Sequence, residues 1–232
     1  MNNLKENLQK IYARIASSCQ KAGRDPAEVA ILAVSKKHPV ERILALSQLG
    51  QSSFGENYVQ EALVKIEQLK PLQLEWHFIG PLQSNKTREV TQHFQWVQSV
   101  DRVKILQRLS SQRPVSLPDL NVCIQVNIDR EPQKAGVMPE GVNELVDAAL
   151  TLPGLRLRGL MTIPQIGSTV HSPAESYQRM HMLFQTLKKS GIKLDTLSMG
   201  MSADLEAAIM HGSTMVRIGT DLFGERPHSD EN

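Results

Sequence analysis

Residues 29–36 read Val29-Ala30-Ile31-Leu32-Ala33-Val34-Ser35-Lys36, an apolar run that ends in a lysine. The run is followed by His38-Pro39, which breaks the pattern, so a buried strand is predicted over Val29–Ser35. A lysine at the mouth of a strand is poorly suited to core packing, because its ammonium group must be solvated, paired or deprotonated. The stretch therefore predicts the first strand of a sheet and a candidate reactive amine, Lys36.

Apolar runs of the same kind recur along the chain, and a helical pattern separates each from the next. Further strands are predicted over 52–54, 74–79, 96–100, 121–128, 155–163, 195–199 and 214–218. Helices are predicted over 2–22, 40–49, 59–69, 84–94, 101–112, 139–150, 173–190 and 203–210, with Asp101 capping the fifth. This alternation favours an α/β fold in which helical crossovers join parallel strands.

Eight strand–helix units in 232 residues suit one closed (β/α)8 barrel, the TIM barrel, with an extra N-terminal helix. A doubly wound open sheet is the competing fold. No shift of composition marks a domain boundary, so residues 1–232 are predicted to form one domain with a polar tail over about 225–232. The segment 164–172 is predicted to be a loop.

The composition excludes several classes of function. The chain is 41% hydrophobic and 22% charged, which is typical of a globular domain. A net charge of +2 with 4% aromatic residues does not indicate a nucleic-acid-binding surface. Cys19 and Cys123 are widely spaced and form no metal-binding motif. Neither an apolar signal core nor a run of about 18 apolar residues occurs, so we expect a cytoplasmic protein without a membrane partner.

Two loops near the C-terminus resemble the halves of a phosphate-binding cup, Leu197–Asp204 and Met215–Thr220. In a barrel such loops follow strands seven and eight, where a phosphate often binds. The helix predicted to begin near Ala203 would point its positive end at the same place. The hydroxyl groups of Ser198, Ser202 and Thr220 could donate hydrogen bonds, and Gly200 and Gly219 would let the backbone approach a ligand.

Each loop also has a simpler explanation. Ser202 could be only a helix N-cap, Gly219 could only end a strand, and Lys36 could be a surface lysine. The two loops in this order together with Lys36, however, favour a ligand that needs both an amine and a phosphate cup. Pyridoxal 5'-phosphate (PLP) is such a ligand.

Two further cations need an interpretation. Arg217 lies between Val216 and Ile218 in a predicted strand, where a permanent charge requires a ligand or a buried ion pair with Asp or Glu. Lys37 should point away from Lys36 if the segment is extended, because successive side chains of a strand alternate.

Several motifs resemble the pyridoxal phosphate homeostasis protein family. They are Ala33-Val34-Ser35-Lys36, Phe54-Gly55-Glu56-Asn57-Tyr58-Val59-Gln60-Glu61, Trp76-His77-Phe78-Ile79-Gly80-Pro81-Leu82-Gln83-Ser84-Asn85-Lys86, Arg158-Gly159-Leu160-Met161 and the two C-terminal loops. The resemblance extends from about residue 5 to residue 226. This family is similar in fold to the barrel domain of alanine racemase.

The resemblance implies a barrel that holds PLP as a Schiff base on Lys36. It implies Arg217 beside the pyridine nitrogen, where an arginine disfavours ring protonation and weakens the cofactor as an electron sink. It implies no metal ion and no catalytic residue. The cofactor-binding residues that it implies besides Lys36 and Arg217 are Asn57, Met161, Ser198, Ser202, Gly219 and Thr220. His77 is interpreted as a hydrogen-bonded strand histidine.

Departures from the racemase pattern argue against strong catalysis. The racemase has a tyrosine four residues after its lysine, where this chain has Val40. It also takes a second base from a C-terminal domain for which this chain has no room, and loss of a positioned acid–base group typically costs about 10²–10⁴-fold in rate. Lys134 falls where the racemase carries an arginine, and either a role in cofactor transfer or a solvated loop lysine would explain it.

The expected function is therefore a non-enzymatic PLP carrier in vitamin B6 homeostasis, which buffers or delivers the cofactor. A weak PLP-dependent amino-acid racemase is the alternative. A third hypothesis is an interaction protein whose loading with cofactor signals to a partner. PLP-dependent apo-enzymes are the expected recipients, and a monomer is expected because the racemase dimerises through its second domain.

Overall fold

A computed structural model describes residues 2–164 and 172–224. Within these ranges eight parallel strands close into a barrel in chain order, and β1 pairs with both β2 and β8. The strands are β1 (Ala30–Val34), β2 (Ser53–Glu56), β3 (Glu75–Phe78), β4 (Trp96–Val100), β5 (Leu120–Gln125), β6 (Leu155–Met161), β7 (Thr196–Met201) and β8 (Met215–Ile218). The predicted (β/α)8 barrel is confirmed, and the open sheet is excluded because β8 returns to pair with β1.

Helices surround the strands and cover the apolar outer face of the barrel. They are α1 (Asn2–Ala22), α2 (Val40–Ser47), α3 (Val59–Gln68), α4 (Thr87–His93), α5 (Val103–Gln112), α6 (Val142–Thr151), α7 (Pro173–Lys189), α8 (Leu205–Met210) and α9 (Thr220–Phe223). None of the helices in the described ranges is long and apolar enough to cross a membrane.

The extra N-terminal helix is confirmed. One side of α1 is buried through Leu4, Leu8, Ile11, Ile15 and Cys19, which recur at helical spacing. This apolar side packs on α8 and α9, the two helices that follow β7 and β8. The helix is therefore placed to support the loops predicted to bind phosphate.

The predicted end of β7, the predicted start of α8 and the predicted cap of α5 are wrong. Strand β7 continues to Met201, and α8 begins only at Leu205, so Ala203 lies in the connecting turn. Asp101 does not cap α5, since the cap position is Arg102 and the Asp101 carboxylate accepts a hydrogen bond from the Arg102 guanidinium at 2.5 Å. The predicted loop 164–172 and the tail 225–232 lie largely or wholly outside the described residues.

Candidate functional site

A cavity of about 240 Å³ opens at the carboxyl ends of the strands. Six predicted site residues line it together, namely Lys36, Asn57, Ser202, Arg217, Gly219 and Thr220. Lys36 follows β1 while Arg217 belongs to β8, and the pairing of these two strands brings the first and last quarters of the chain together. A larger depression of about 1020 Å³, beside the start of β6, contains none of the predicted site residues.

The charge of the cavity suits an anionic ligand. Its described lining contains two cations, Lys36 and Arg217, and no carboxylate. Ser202 and Thr220 add hydroxyl groups, and the Asn57 Oδ1 atom is buried without a hydrogen-bond partner in the described part of the chain. Apolar side chains complete the wall, namely Val34, Ile79, Ile163, Met201 and Ala203. These groups fit a small aromatic ligand that carries a phosphate and an aldehyde.

A tight turn carries Lys36 to the cavity. The N–H group of His38 donates to the Ser35 oxygen at 3.1 Å, and Lys37 takes a left-handed φ of 62°. Lys36 is half-buried in the cavity wall while Lys37 is exposed. The two lysines diverge as expected, but a left-handed turn separates them rather than strand alternation.

A buried ion network holds both neighbours of Lys36. The Lys65 ammonium group donates to the backbone oxygen of Ser35 at 2.8 Å and to the carboxylates of Glu56 at 2.7 Å and Glu61 at 2.6 Å. Glu61 also accepts the backbone N–H of Lys37 at 2.5 Å, and Glu56 accepts the Ser35 hydroxyl at 2.6 Å. Burial raises the pKa of Glu56, and the nearby ammonium partly offsets that effect. The turn before α2 is therefore fastened to β2 and α3.

Sequence reasoning missed Lys65, although a signal was present. Lys65 lies on the same side of α3 as the buried Val59 and Ala62, where an apolar residue is expected. A lysine at such a position needs a buried partner.

Arg14 of α1 fastens both loops predicted to bind phosphate. Its guanidinium donates to the Ser202 backbone oxygen at 2.8 Å and to the Asp221 carboxylate at 2.6 Å. It also makes two hydrogen bonds to Glu206 at 2.7 and 2.9 Å. Ser202 itself does not cap α8, whose cap position is Asp204, so the simpler explanation of Ser202 is wrong. No pattern in the sequence indicates this role for Arg14.

Gly200 serves packing instead of ligand approach. Its φ is 94°, and a Cβ atom there would lie 2.5 Å from the Cβ of Ala208. The residue is absent from the cavity wall, so the prediction that it admits a ligand is not supported. Glycine is required here because α8 packs tightly against the end of β7.

Ser198 and Met161 are not brought to the cavity. Ser198 is fully buried inside the barrel, because β7 runs three residues beyond it to Met201. Met161 is also fully buried and packs with Trp96 and Cys123. Ile163 lines the cavity instead, since β6 ends at Met161 and the chain then reaches the mouth of the barrel.

Arg217 is a buried cation that forms no ion pair with any residue in the described ranges. It is 4% exposed and donates to the Ser198 hydroxyl at 2.9 Å and to the Thr162 backbone oxygen at 2.8 Å. Among the described residues no carboxylate lies within ion-pair distance of it, so the alternative of a buried ion pair is excluded. Burial lowers the pKa of Arg217, but a guanidinium stays charged near neutral pH.

The two remaining candidates lie outside the cavity wall. Lys134 pairs with Glu131 at 2.6 Å in the loop after β5. His77 is fully buried in β3 and makes hydrogen bonds to Glu75 and Gln98, both at 2.9 Å. Its interpretation as a hydrogen-bonded strand histidine is confirmed.

Known proteins of similar sequence and structure agree with this geometry. The family model described as the N-terminal domain of alanine racemase matches residues 3–227. The pyridoxal phosphate homeostasis protein of Pseudomonas aeruginosa is 53% identical over 228 residues, which cover 98% of each chain. PipY of Synechococcus elongatus, solved with PLP bound, is 35% identical with a TM-score of 0.80 and covers 92% of this chain and 100% of its own.

Alanine racemase of Clostridium difficile 630 is a more distant neighbour. It is 17% identical with a TM-score of 0.72, and the match covers 100% of this chain but 59% of the racemase. This likeness is one of fold alone. On the closer matches, the chain belongs to the alanine racemase N-terminal domain family and, within it, to the pyridoxal phosphate homeostasis proteins.

Proposed function

We propose that this protein binds PLP reversibly through Lys36 and acts in vitamin B6 homeostasis by holding and delivering the cofactor. The observation that carries the proposal is the meeting of Lys36, Arg217 and two hydroxyl groups in one cavity whose described lining has no carboxylate. The names of the relatives and the PLP bound to PipY support it.

Each residue has a part that follows from its chemistry. The Lys36 amine can condense with an aldehyde, so that a C=N bond forms and water leaves, and water reverses the step. Ser202 and Thr220 can donate to the oxygens of a phosphate. Arg217 can only donate hydrogen bonds, so a ring nitrogen that faces it would remain an unprotonated acceptor. Such a nitrogen makes the cofactor a poor electron sink.

The lining of the cavity argues for storage over catalysis. Among the described residues that form it, Lys36 is accompanied by no tyrosine, histidine, cysteine or carboxylate that could act as a second acid or base. Val40, where the racemase has tyrosine, is the first residue of α2. We therefore propose that turnover of amino acids by this protein is weak or absent.

The covalent link can be tested with a matched pair of variants. Purified protein incubated with PLP should show a visible absorption band, and borohydride should fix the cofactor to the peptide that contains Lys36. Lys36→Ala should lose both signals. Lys37→Gly, which changes the adjacent exposed lysine and tolerates the left-handed backbone, should keep both. An unchanged band and a fixed cofactor in Lys36→Ala would contradict the proposal.

Delivery needs its own experiment. We propose PLP-dependent apo-enzymes as recipients, and a monomeric state and a cytoplasmic location for this protein. An apo-enzyme mixed with loaded protein should regain activity even when excess phosphatase destroys free PLP. Failure to reactivate under phosphatase, with normal reactivation without it, would argue for simple buffering. Light scattering after size exclusion should report the mass of one chain.

A further inference from the structure

Four hydrogen bonds cross the interior of the barrel from Arg217 to Glu75. Arg217 Nη1 lies 2.9 Å from Ser198 Oγ, and Ser198 Oγ lies 2.6 Å from Gln98 Oε1. Gln98 Nε2 lies 2.9 Å from His77 Nδ1, and His77 Nε2 lies 2.9 Å from Glu75 Oε1. The series begins in the cavity wall and ends at the first residue of β3, at the opposite mouth of the barrel.

The middle of this series is sealed from solvent. Ser198, Gln98 and His77 are each 0% exposed, whereas the Glu75 side chain is 44% exposed. A buried polar group that loses its partner costs free energy, so each of the three inner groups depends on both of its neighbours. A change at one end must therefore be accommodated along the series.

The chemistry of the two ends fixes the direction of every bond. A guanidinium can only donate, so Ser198 accepts from Arg217 and its own hydroxyl donates to Gln98 Oε1. A carboxylate can only accept, so the His77 proton is on Nε2 and Nδ1 is left to accept from Gln98 Nε2. All four bonds thus run from Arg217 toward Glu75, with the amide of Gln98 held in one orientation.

The electrostatics agree with this assignment. Burial lowers the pKa of His77 and favours the neutral ring, which has one donor and one acceptor nitrogen. The hydrogen bond from His77 lowers the pKa of Glu75 to about 2, so its carboxylate remains an acceptor at neutral pH.

We propose that Glu75 is a positioning residue for the cofactor cavity, acting through His77, Gln98 and Ser198 on the orientation of Arg217. This inference rests on the proposed function, since Arg217 is taken to face the bound cofactor. Loss of the Glu75 acceptor frees His77 to move its proton to Nδ1, which reverses the amide of Gln98. Ser198 then loses the acceptor of its hydroxyl, and the guanidinium loses a partner of fixed orientation.

The first test needs no cofactor. In ligand-free protein with nitrogen-15 histidine, NMR should show His77 neutral with its proton on Nε2. Ser198→Ala, which does not contact His77, should shift the Nδ1 signal because Gln98 loses its partner. The opposite tautomer, or an Nδ1 signal unchanged in Ser198→Ala, would overturn the series whatever the protein binds.

The second test measures the rate of PLP dissociation in a double-mutant cycle. Glu75→Ala should raise that rate about threefold to tenfold, as loss of one buried hydrogen bond would. In a Ser198→Ala background the same change should have no further effect, because the series is already interrupted. Glu75→Gln keeps an acceptor oxygen, so its rate of PLP dissociation should be close to that of the wild-type protein.

A matched control uses a carboxylate near the same mouth. Asp119 is exposed, immediately precedes β5 and takes no part in the series, so Asp119→Ala should leave the rate unchanged. Equal effects of Glu75→Ala in the two backgrounds, or an equal effect of Asp119→Ala, would overturn the proposal in favour of general loosening of the barrel. If the wild-type protein does not bind PLP, the proposed function is refuted, but the NMR test of the hydrogen-bond series is unaffected.

Discussion

The Nζ atom of Lys65 lies 2.8 Å from the backbone oxygen of Ser35, the residue that immediately precedes Lys36. The same ammonium group contacts Glu56 at 2.7 Å, and both side chains of this pair are at most 5% exposed. A lysine of α3 that cannot reach solvent thus fixes the position from which Lys36 enters the cavity. Lys36 lines the cavity, whereas Lys65 supports the turn that carries it, so the two lysines have separate positions and separate contacts.

We expect Lys65→Met to lower the free energy of unfolding by about 3–5 kcal/mol, because it leaves Glu56 buried without its cation. Urea unfolding measures the change. Lys70→Met is the control, since Lys70 is exposed and lies 3.9 Å from Glu67, and it should cost less than about 0.5 kcal/mol. Adding Glu56→Gln should recover part of the loss, and a double variant less stable than Lys65→Met alone would contradict this account.

The left-handed residue after Lys36 offers a test of the turn. Lys37 has a φ of 62°, a conformation that β-branched residues avoid, so Lys37→Val should destabilise the protein by about 1–2 kcal/mol. Lys37→Gly should change stability by less than about 1 kcal/mol, because the relief of strain offsets the added chain entropy. Thermal unfolding distinguishes the two variants, and equal stabilities would show that the turn is not maintained in solution.

Arg14 should affect cofactor retention although it does not line the cavity. Arg14→Ala removes the links to Ser202 and Asp221. The two loops would then have to become ordered when phosphate binds, and this ordering would reduce the affinity for the cofactor. We expect the binding free energy for PLP to fall by about 1 kcal/mol, which raises the dissociation constant about fivefold, and a PLP titration measures this change. Lys10→Ala, on the exposed side of the same helix, should leave the constant unchanged. A similar loss in both variants would point to α1 as a whole.

Stability should fall on mild acidification because of His77. Its pKa is lowered in the folded protein by burial, so below about pH 6.5 the unfolded chain takes up a proton that the folded chain does not. The free energy of unfolding should then decrease by up to about 1.4 kcal/mol per pH unit from this residue, until the folded pKa is reached. Above about pH 6.5 the histidine is neutral in both states and contributes no slope.

The same linkage continues at lower pH through Glu75, whose folded pKa is about 2. The contribution of Glu75 to the free energy of unfolding is present above about pH 4.5 and is lost as the pH falls toward the folded pKa of about 2. Urea unfolding at several pH values measures both slopes. His77→Gln should flatten the first, whereas His93→Gln, at an exposed position, should not. A first slope that survives in His77→Gln would assign it to other groups.

The amino-acid sequence by itself determined the alternation of strands and helices, the extra N-terminal helix and the identity of the residues that flank Lys36. These features are local, because periodicity and turn residues act over a few positions. Strand order in a barrel brings the first and last loops together, so the sequence also placed Lys36 beside Ser202, Gly219 and Thr220. The resemblance to the family added Asn57 and Arg217, and all six residues line one cavity.

Only the tertiary structure decided which of the polar residues reach the cavity and which support it. Ser198 lies within the barrel because β7 continues two residues beyond its predicted end, to Met201. Met161 is the last residue of β6, but its side chain is buried with Trp96 and Cys123, because the direction of a side chain follows from strand register. The contacts of Lys65 with Ser35, and the series from Arg217 to Glu75, join residues far apart in sequence. Such contacts depend on distances that no local pattern records, because they exist only after the barrel has closed.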